Sequence, residues 1–124
     1  MKLAVVGSRR RDEEEDKQLL KEFIIKAKPD ELVSGGCPKG GDKFAEEIAE
    51  ELNIPIKIFY PELPKEDGFH ETQKWEYTKA YYARDDKIAE YCDAIVALVA
   101  FDRKGGTERT LKKAKKLGKN FKLL

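Results

Sequence analysis

At 124 residues the chain has the length of one domain and is too short for two. Charged and hydrophobic residues each make up 40%, which excludes a disordered chain, and Lys+Arg 25 against Asp+Glu 24 leaves a net charge of +1, which argues against a nucleic-acid partner. No apolar run nears the roughly 18 residues of a membrane span, and Leu3–Val6 is too short for a signal sequence, so a cytoplasmic protein away from membranes is expected.

Leu3–Val6 is an apolar run ending at Gly7-Ser8, the pattern of a strand buried on both faces. Asp12, with Glu15 three residues on, is the expected cap of a first helix. Its apolar face is Leu19, Leu20, Phe23, Ile24 and Ala27, and Pro29 ends it. Glu31–Ser34 is a second strand, and Asp42 starts a second helix with Phe44, Ala45, Ile48, Ala49 and Leu52 on one face. Ile54–Phe59 is a third strand. Residues 61–74, with Pro61, Pro64 and Gly68, are expected to be irregular before a third helix from about Trp75 to Tyr91. Ala94–Val99 is a fourth strand, Gly105-Gly106-Thr107 opens a fourth helix to about Leu117, and Phe121–Leu124 is a last edge strand.

Alternation of this kind predicts an α/β fold: a single Rossmann-like domain over residues 1–124, a three-layer sandwich with helices on both faces of a mostly parallel sheet. Right-handed crossovers favour about five strands in the order 3-2-1-4-5. In that order the loops Gly7-Ser8-Arg9, Ser34-Gly35-Gly36 and Gly105-Gly106-Thr107 share the carboxyl edge around one crevice. Glycines after strands let backbone N–H groups approach a phosphate, and the following helix adds its positive end. Thr107 is placed to cap that helix or to bond an oxyanion, and Ser8 to bond a ligand or cap a helix.

Arg84 falls inside the apolar stripe Tyr77, Tyr81, Ile88 and Tyr91, so it must meet either a ligand phosphate in the crevice or a carboxylate such as Asp85 or Asp93. Arg9 is either a second cation of the crevice or, with Arg10 and Arg11, part of a solvated turn. The aromatic group Trp75, Tyr77, Tyr81 and Tyr82, with Phe69 and His70 before it, either packs the third helix on the sheet or stacks on a base. His70 is the one histidine, and Cys37 and Cys92 lack CxxC spacing, so no metal site and two free thiols are expected. From Arg103 to Lys122 nine Lys/Arg stand against one Glu, and a solvated basic face is the expectation for that helix.

Val5-Val6-Gly7-Ser8-Arg9, Ser34-Gly35-Gly36 with Lys39-Gly40-Gly41-Asp42 and Phe44-Ala45, Arg84-Asp85, and Gly105-Gly106-Thr107 together resemble the SLOG superfamily, on its YspA/YpsA-related branch, with DprA/Smf and the LOG phosphoribohydrolases as cousins. The resemblance runs over nearly the whole chain. It implies a Rossmann-like fold, a homo-oligomer and a nucleotide or nucleotide-derived ligand, with no certain cofactor. On this basis the ligand is held by Gly7, Ser8, Arg9, Ser34, Gly35, Gly36, Gly40, Asp42, Arg84, Gly105, Gly106 and Thr107.

The chain departs from the LOG pattern P-G-G-x-G-T-x-x-E. Lys104 precedes a shortened Gly-Gly-Thr, and Thr110 stands where the glutamate would be. Glu108 lies about 200° around the helix from that projection. The expected function is therefore binding of a nucleotide or phosphorylated nucleoside derivative, as a sensor or ligand-processing module. The alternative is N-glycosidic hydrolysis of a nucleoside monophosphate, with Glu108 or Asp42 as the carboxylate; a weaker alternative is DprA-like nucleic-acid binding.

Overall fold

The computed structural model describes residues 1–37, 39–63 and 71–124, with 71–74 as backbone alone. Its elements alternate: β1 (Lys2–Gly7), α1 (Glu14–Ala27), β2 (Glu31–Ser34), α2 (Gly41–Leu52), β3 (Ile56–Ile58), α3 (Glu71–Tyr91), β4 (Ala94–Leu98), α4 (Gly106–Lys116) and β5 (Asn120–Leu123). The strands form one five-stranded sheet, β3-β2-β1-β4-β5, with every adjacent pair parallel. The Rossmann-like architecture expected from the pattern is the one the chain adopts.

The unbroken apolar runs of the central strands follow from burial on both faces. In β1, Leu3 and Val5 join Leu20 and Ile24 of α1 and Phe44, Ala45 and Ile48 of α2. Their sequence neighbours Ala4 and Val6 turn the other way, to Ile88 of α3 and Leu111 and Ala114 of α4. Period-two alternation thus feeds two separate cores, one under each helical layer. Register brings β1 against β4 over its length, from Leu3 opposite Ala94 to Gly7 opposite Leu98. Both strands therefore end at one level, where the loops after them can face each other.

Three local expectations are corrected. The cap of α1 is Glu13, whose N–H donates to the Asp16 carboxylate at 3.2 Å. Asp12 is drawn away: its carboxylate accepts the Gly40 N–H at 2.8 Å and meets Lys43 Nζ at 3.2 Å, tying the first loop to the start of α2. α3 runs over Glu71–Tyr91, so residues 71–74, expected to be irregular, are helical. Leu19 stands exposed, because the buried stripe of α1 is centred on Leu20 and Ile24 and a neighbour in sequence lies about 100° away. Phe69 and His70 lie outside the described residues. No helix among the described residues is long and apolar enough to cross a membrane.

Candidate functional site

The carboxyl ends of β1, β2 and β4 open on a cleft of about 360 Å³. Of the residues singled out in sequence, Gly7, Ser8, Arg9, Gly35, Asp42, Arg84, Gly105, Gly106 and Thr107 line it. Ser34, Gly36, Gly40 and Glu108 do not. Ser34 is fully buried beneath the wall, where its hydroxyl donates to the Asp42 carbonyl oxygen at 3.4 Å and accepts the Gly36 N–H at 3.3 Å. Gly36 turns toward Tyr60: its φ is +74°, and a Cβ there would stand 2.6 Å from the Tyr60 ring. Glu108 is held by Arg103, whose Nε and Nη2 donate to its Oε1 at 2.9 and 2.8 Å, as its helical angle foretold. Thr110 occupies the cleft wall in its place and is itself buried, its hydroxyl donating to the Gly106 carbonyl oxygen at 3.5 Å.

Two glycines bring α2 against the end of β1. A Cβ on Gly41 would lie 3.1 Å from the Gly7 Cα, and one on Gly40, at φ +71°, would lie 2.7 Å from the Ser8 carbonyl oxygen. This backbone-to-backbone contact is what lets Asp42, one residue into the helix, reach the cleft. The opposite holds for the β4–α4 loop. Gly105 needs glycine for its φ of +121°, but around both it and Gly106 the space is open, with no atom of the described residues within 4 Å of a built Cβ.

The floor of the cleft is acidic. Asp42 and Asp85 are both buried and both line it, with the Arg84 guanidinium beside them. Arg84 Nε donates to Asp85 Oδ1 at 2.8 Å and Nη1 to the Gly35 carbonyl oxygen at 2.6 Å. Of the two partners open to Arg84 in sequence, the structural carboxylate is the one it has. A Cβ on Gly35 would meet Arg84 Nη1 at 2.7 Å and Asp42 Oδ2 at 3.0 Å, so only glycine leaves room for both. Burial pushes the Asp42 carboxyl above the usual carboxylate range, against the pull of the Cys37 N–H, which donates to it at 3.1 Å, and of Arg84. Burial also pushes Asp85 up; the Arg84 charge opposes this, and the charge of Asp42 adds to it.

The rim is cationic. Arg10 spans the mouth, donating to Asp102 at 3.0 and 2.6 Å and to the Lys104 carbonyl oxygen at 3.1 Å. Arg11 is internal to the fold, donating to Asp16, Val99 and Leu124. The solvated-turn reading is corrected for Arg11; Arg10 stays exposed, although it closes a long-range contact. Ser8 caps no helix; its hydroxyl accepts the Arg10 N–H at 3.2 Å within the turn. Five of the six arginines pair with a carboxylate; Arg9, exposed in the cleft wall, has no partner among the described residues. The Thr107 hydroxyl and the Lys104 ammonium, which also line the cleft, are likewise without one among the described residues. Tyr81 and Tyr82 complete the wall, with Arg84 over the first ring at 5.6 Å and Arg109 over the second at 3.9 Å. Trp75 is two-thirds exposed and takes no part. In the sequence Asp85 was marked only as a carboxylate for Arg84 and Lys104 only as the residue before Gly105; both line the cleft.

No family model and no curated protein matches the chain. Among solved structures, DNA processing protein A (DprA) from Streptococcus pneumoniae is similar with a TM-score of 0.76 at 21% identity, covering 98% of this chain and 49% of that one. DNA processing protein A from Helicobacter pylori, studied for its single-stranded DNA binding mode, gives 0.70 at 21% identity, covering 99% of this chain and 64% of that one. TM1055, a structural-genomics target, gives 0.63 at 17% identity over 97% and 71%. The chain thus spans about half the length of the first and just under two thirds of the second. The expectation that set nucleic acid aside is corrected here: the same fold carries a single-stranded-DNA binder. Net charge was the wrong quantity to judge by, since a strand meets a local surface and not a sum over the molecule. At these identities the likeness is one of fold, and that fold is the one the SLOG-like motifs imply.

Proposed function

We propose that the cleft binds a nucleotide or a nucleotide-derived phosphorylated ligand, with the phosphate on its cationic rim. The observation that carries this is that Arg9 and the Thr107 hydroxyl, both without a partner among the described residues, line the same cleft as the Gly105-Gly106 start of α4. A helix N-terminus supplies unsatisfied N–H donors and positive potential, and arginine adds a charged fork that fits phosphate oxygens. Gly106 supports the reading further. It has neither a left-handed φ nor a neighbour to avoid among the described residues, so none of these calls for glycine there, whereas a ligand approaching the backbone would.

Thermal melting with a panel of nucleoside monophosphates tests it. The expected result is a rise in Tm with at least one nucleotide, and a roughly 10- to 100-fold weaker affinity in Arg9→Ala, the loss of one charge-assisted contact. No shift with any nucleotide, or a shift unchanged in Arg9→Ala with Thr107→Val, overturns it.

Two other readings each have an observation behind them. The Helicobacter pylori neighbour and the exposed rim favour binding of a single strand through the same phosphate contacts. An oligonucleotide that binds with a steep salt dependence and outcompetes every mononucleotide would establish that instead. Hydrolysis of an N-glycosidic bond is favoured by the two burial-perturbed carboxylates in the floor. Asp42 or Asp85 would serve, and Glu108, turned out to Arg103, would not. Release of free base from a nucleoside monophosphate, abolished in Asp42→Asn, is its signature.

A further inference from the structure

We propose that the chain assembles head to tail: the basic outer face of α4 on one molecule docks on the acidic outer face of α1 on a second copy. Neither face contributes the residues named below to the cleft.

Two features of the molecule have no role in the fold or the cleft. One is the lysine-rich last part of the chain, with nine Lys/Arg against one Glu from Arg103 to Lys122. The other is the apolar exposure of α1, where Leu19 and Ile25 stand 41% and 50% exposed. On a helix that turns about 100° per residue, Glu14, Glu15, Gln18, Leu19, Glu22 and Ile25 fall within an arc of about 140°, and all six are exposed. Lys26, toward the end of the helix, is the one cation on that arc. Glu14 and Glu15 have no partner among the described residues, and Glu22 accepts only a long bond from Gln18 Nε2 at 3.5 Å. On α4, Lys112, Lys115 and Lys116 fall within about 100° of arc, all exposed and without a partner among the described residues. Leu117 and Phe121 follow them in the chain, each 42% exposed. Each surface therefore offers exposed apolar side chains with uncompensated charge, and the two signs are opposite.

One molecule cannot satisfy its own pair of surfaces. α1 packs on the side of the sheet that Leu3 and Val5 face, and α4 on the side that Ala4 and Val6 face. A two-fold contact would set lysine against lysine or glutamate against glutamate, at a cost in repulsion. A nucleic acid would account for the lysines and leave the acidic face and its Leu19 and Ile25 in water. A second copy accounts for both surfaces at once. Because the contact joins two different patches on opposite faces, every added molecule leaves one of each unused, and growth continues past the dimer.

Sedimentation equilibrium of the full chain tests this. At low ionic strength the average mass is expected to rise with concentration beyond that of a dimer. In about 1 M salt, where the screening length is roughly 3 Å, the contact is expected to weaken about tenfold or more, as exposed ion pairs are lost. Lys112→Glu with Lys115→Glu and Lys116→Glu makes both faces acidic, and Glu15→Lys with Glu22→Lys makes both basic, so each variant alone is expected to be monomeric. An equimolar mixture of the two restores association, which misfolded variants do not do. A native chain that stays monomeric at low ionic strength, stops at a dimer, or associates equally well in 1 M salt overturns the inference, with no variant needed. Association that survives either charge reversal overturns it too, by placing the contact elsewhere. A monomeric chain that binds a DNA oligonucleotide, and loses it in the lysine variant, gives the basic face to nucleic acid instead.

Discussion

Three glycines, Gly41, Gly105 and Gly106, differ in what they are needed for, and substitution separates them. Gly41 is required by packing, with a built Cβ at 3.1 Å from the Gly7 Cα, where neither backbone can give way cheaply. Gly41→Ala is expected to cost about 1–3 kcal/mol in denaturant unfolding. Gly105 is required by its backbone angle, at φ +121°. Gly106 is required by neither, so Gly106→Ala should leave stability unchanged or raise it by up to about 1 kcal/mol, while weakening nucleotide binding. In sequence they look alike, as glycines following strands. What distinguishes them is the distance to the next backbone, which no local pattern contains. The same is true of the arginines. Arg9, Arg10 and Arg11 are consecutive, and only the positions of Asp102, 92 residues from Arg10, and of Asp16 leave Arg9 as the free one.

At the scale of elements, α1 and α2 are tied across their exposed edge by Glu51, which meets Lys17 Nζ and Lys21 Nζ, each at 2.8 Å. These two ammonium groups hold the Glu51 carboxyl down to about 2, against an ordinary 4.5. A carboxylate whose folded value is depressed stabilises above its ordinary value, and that contribution is lost as pH falls through the folded one. Glu51→Gln should therefore lower Tm at neutral pH and low ionic strength. The difference from the native protein should close as the pH approaches 2, and shrink in 1 M salt, where roughly 3 Å of screening reaches an exposed pair. Tm against pH at two salt concentrations checks both. Element type and order were legible because each amphipathic face repeats with helical spacing; α3 was the least so. Its inward positions include the buried Asp85 and the half-buried Arg84, whose polarity breaks the stripe that marks a helix face, and its start was expected at about Trp75 instead of Glu71.

For the molecule as a whole, the alternating side chains of a parallel sheet divide the apolar interior into two cores that share only backbone. Ile24 lies in one and Ile95 in the other, both about 1% exposed. Ile24→Val and Ile95→Val should each cost about 0.5–1.5 kcal/mol, and the double variant their sum within about 0.5. A strongly non-additive result would mean that the sheet transmits packing strain between its faces.

The run lengths, the 3.6-residue and two-residue periods and the glycine punctuation are local quantities, and they determined the strand order and the meeting of three loops at one edge. The polarity of the cleft is not local. Which arginine stays free among the described residues and which acids are desolvated depend on partners brought together by the crossovers, tens of residues apart in the chain. Electrostatic energies depend on distance and burial, and only the folded molecule has either.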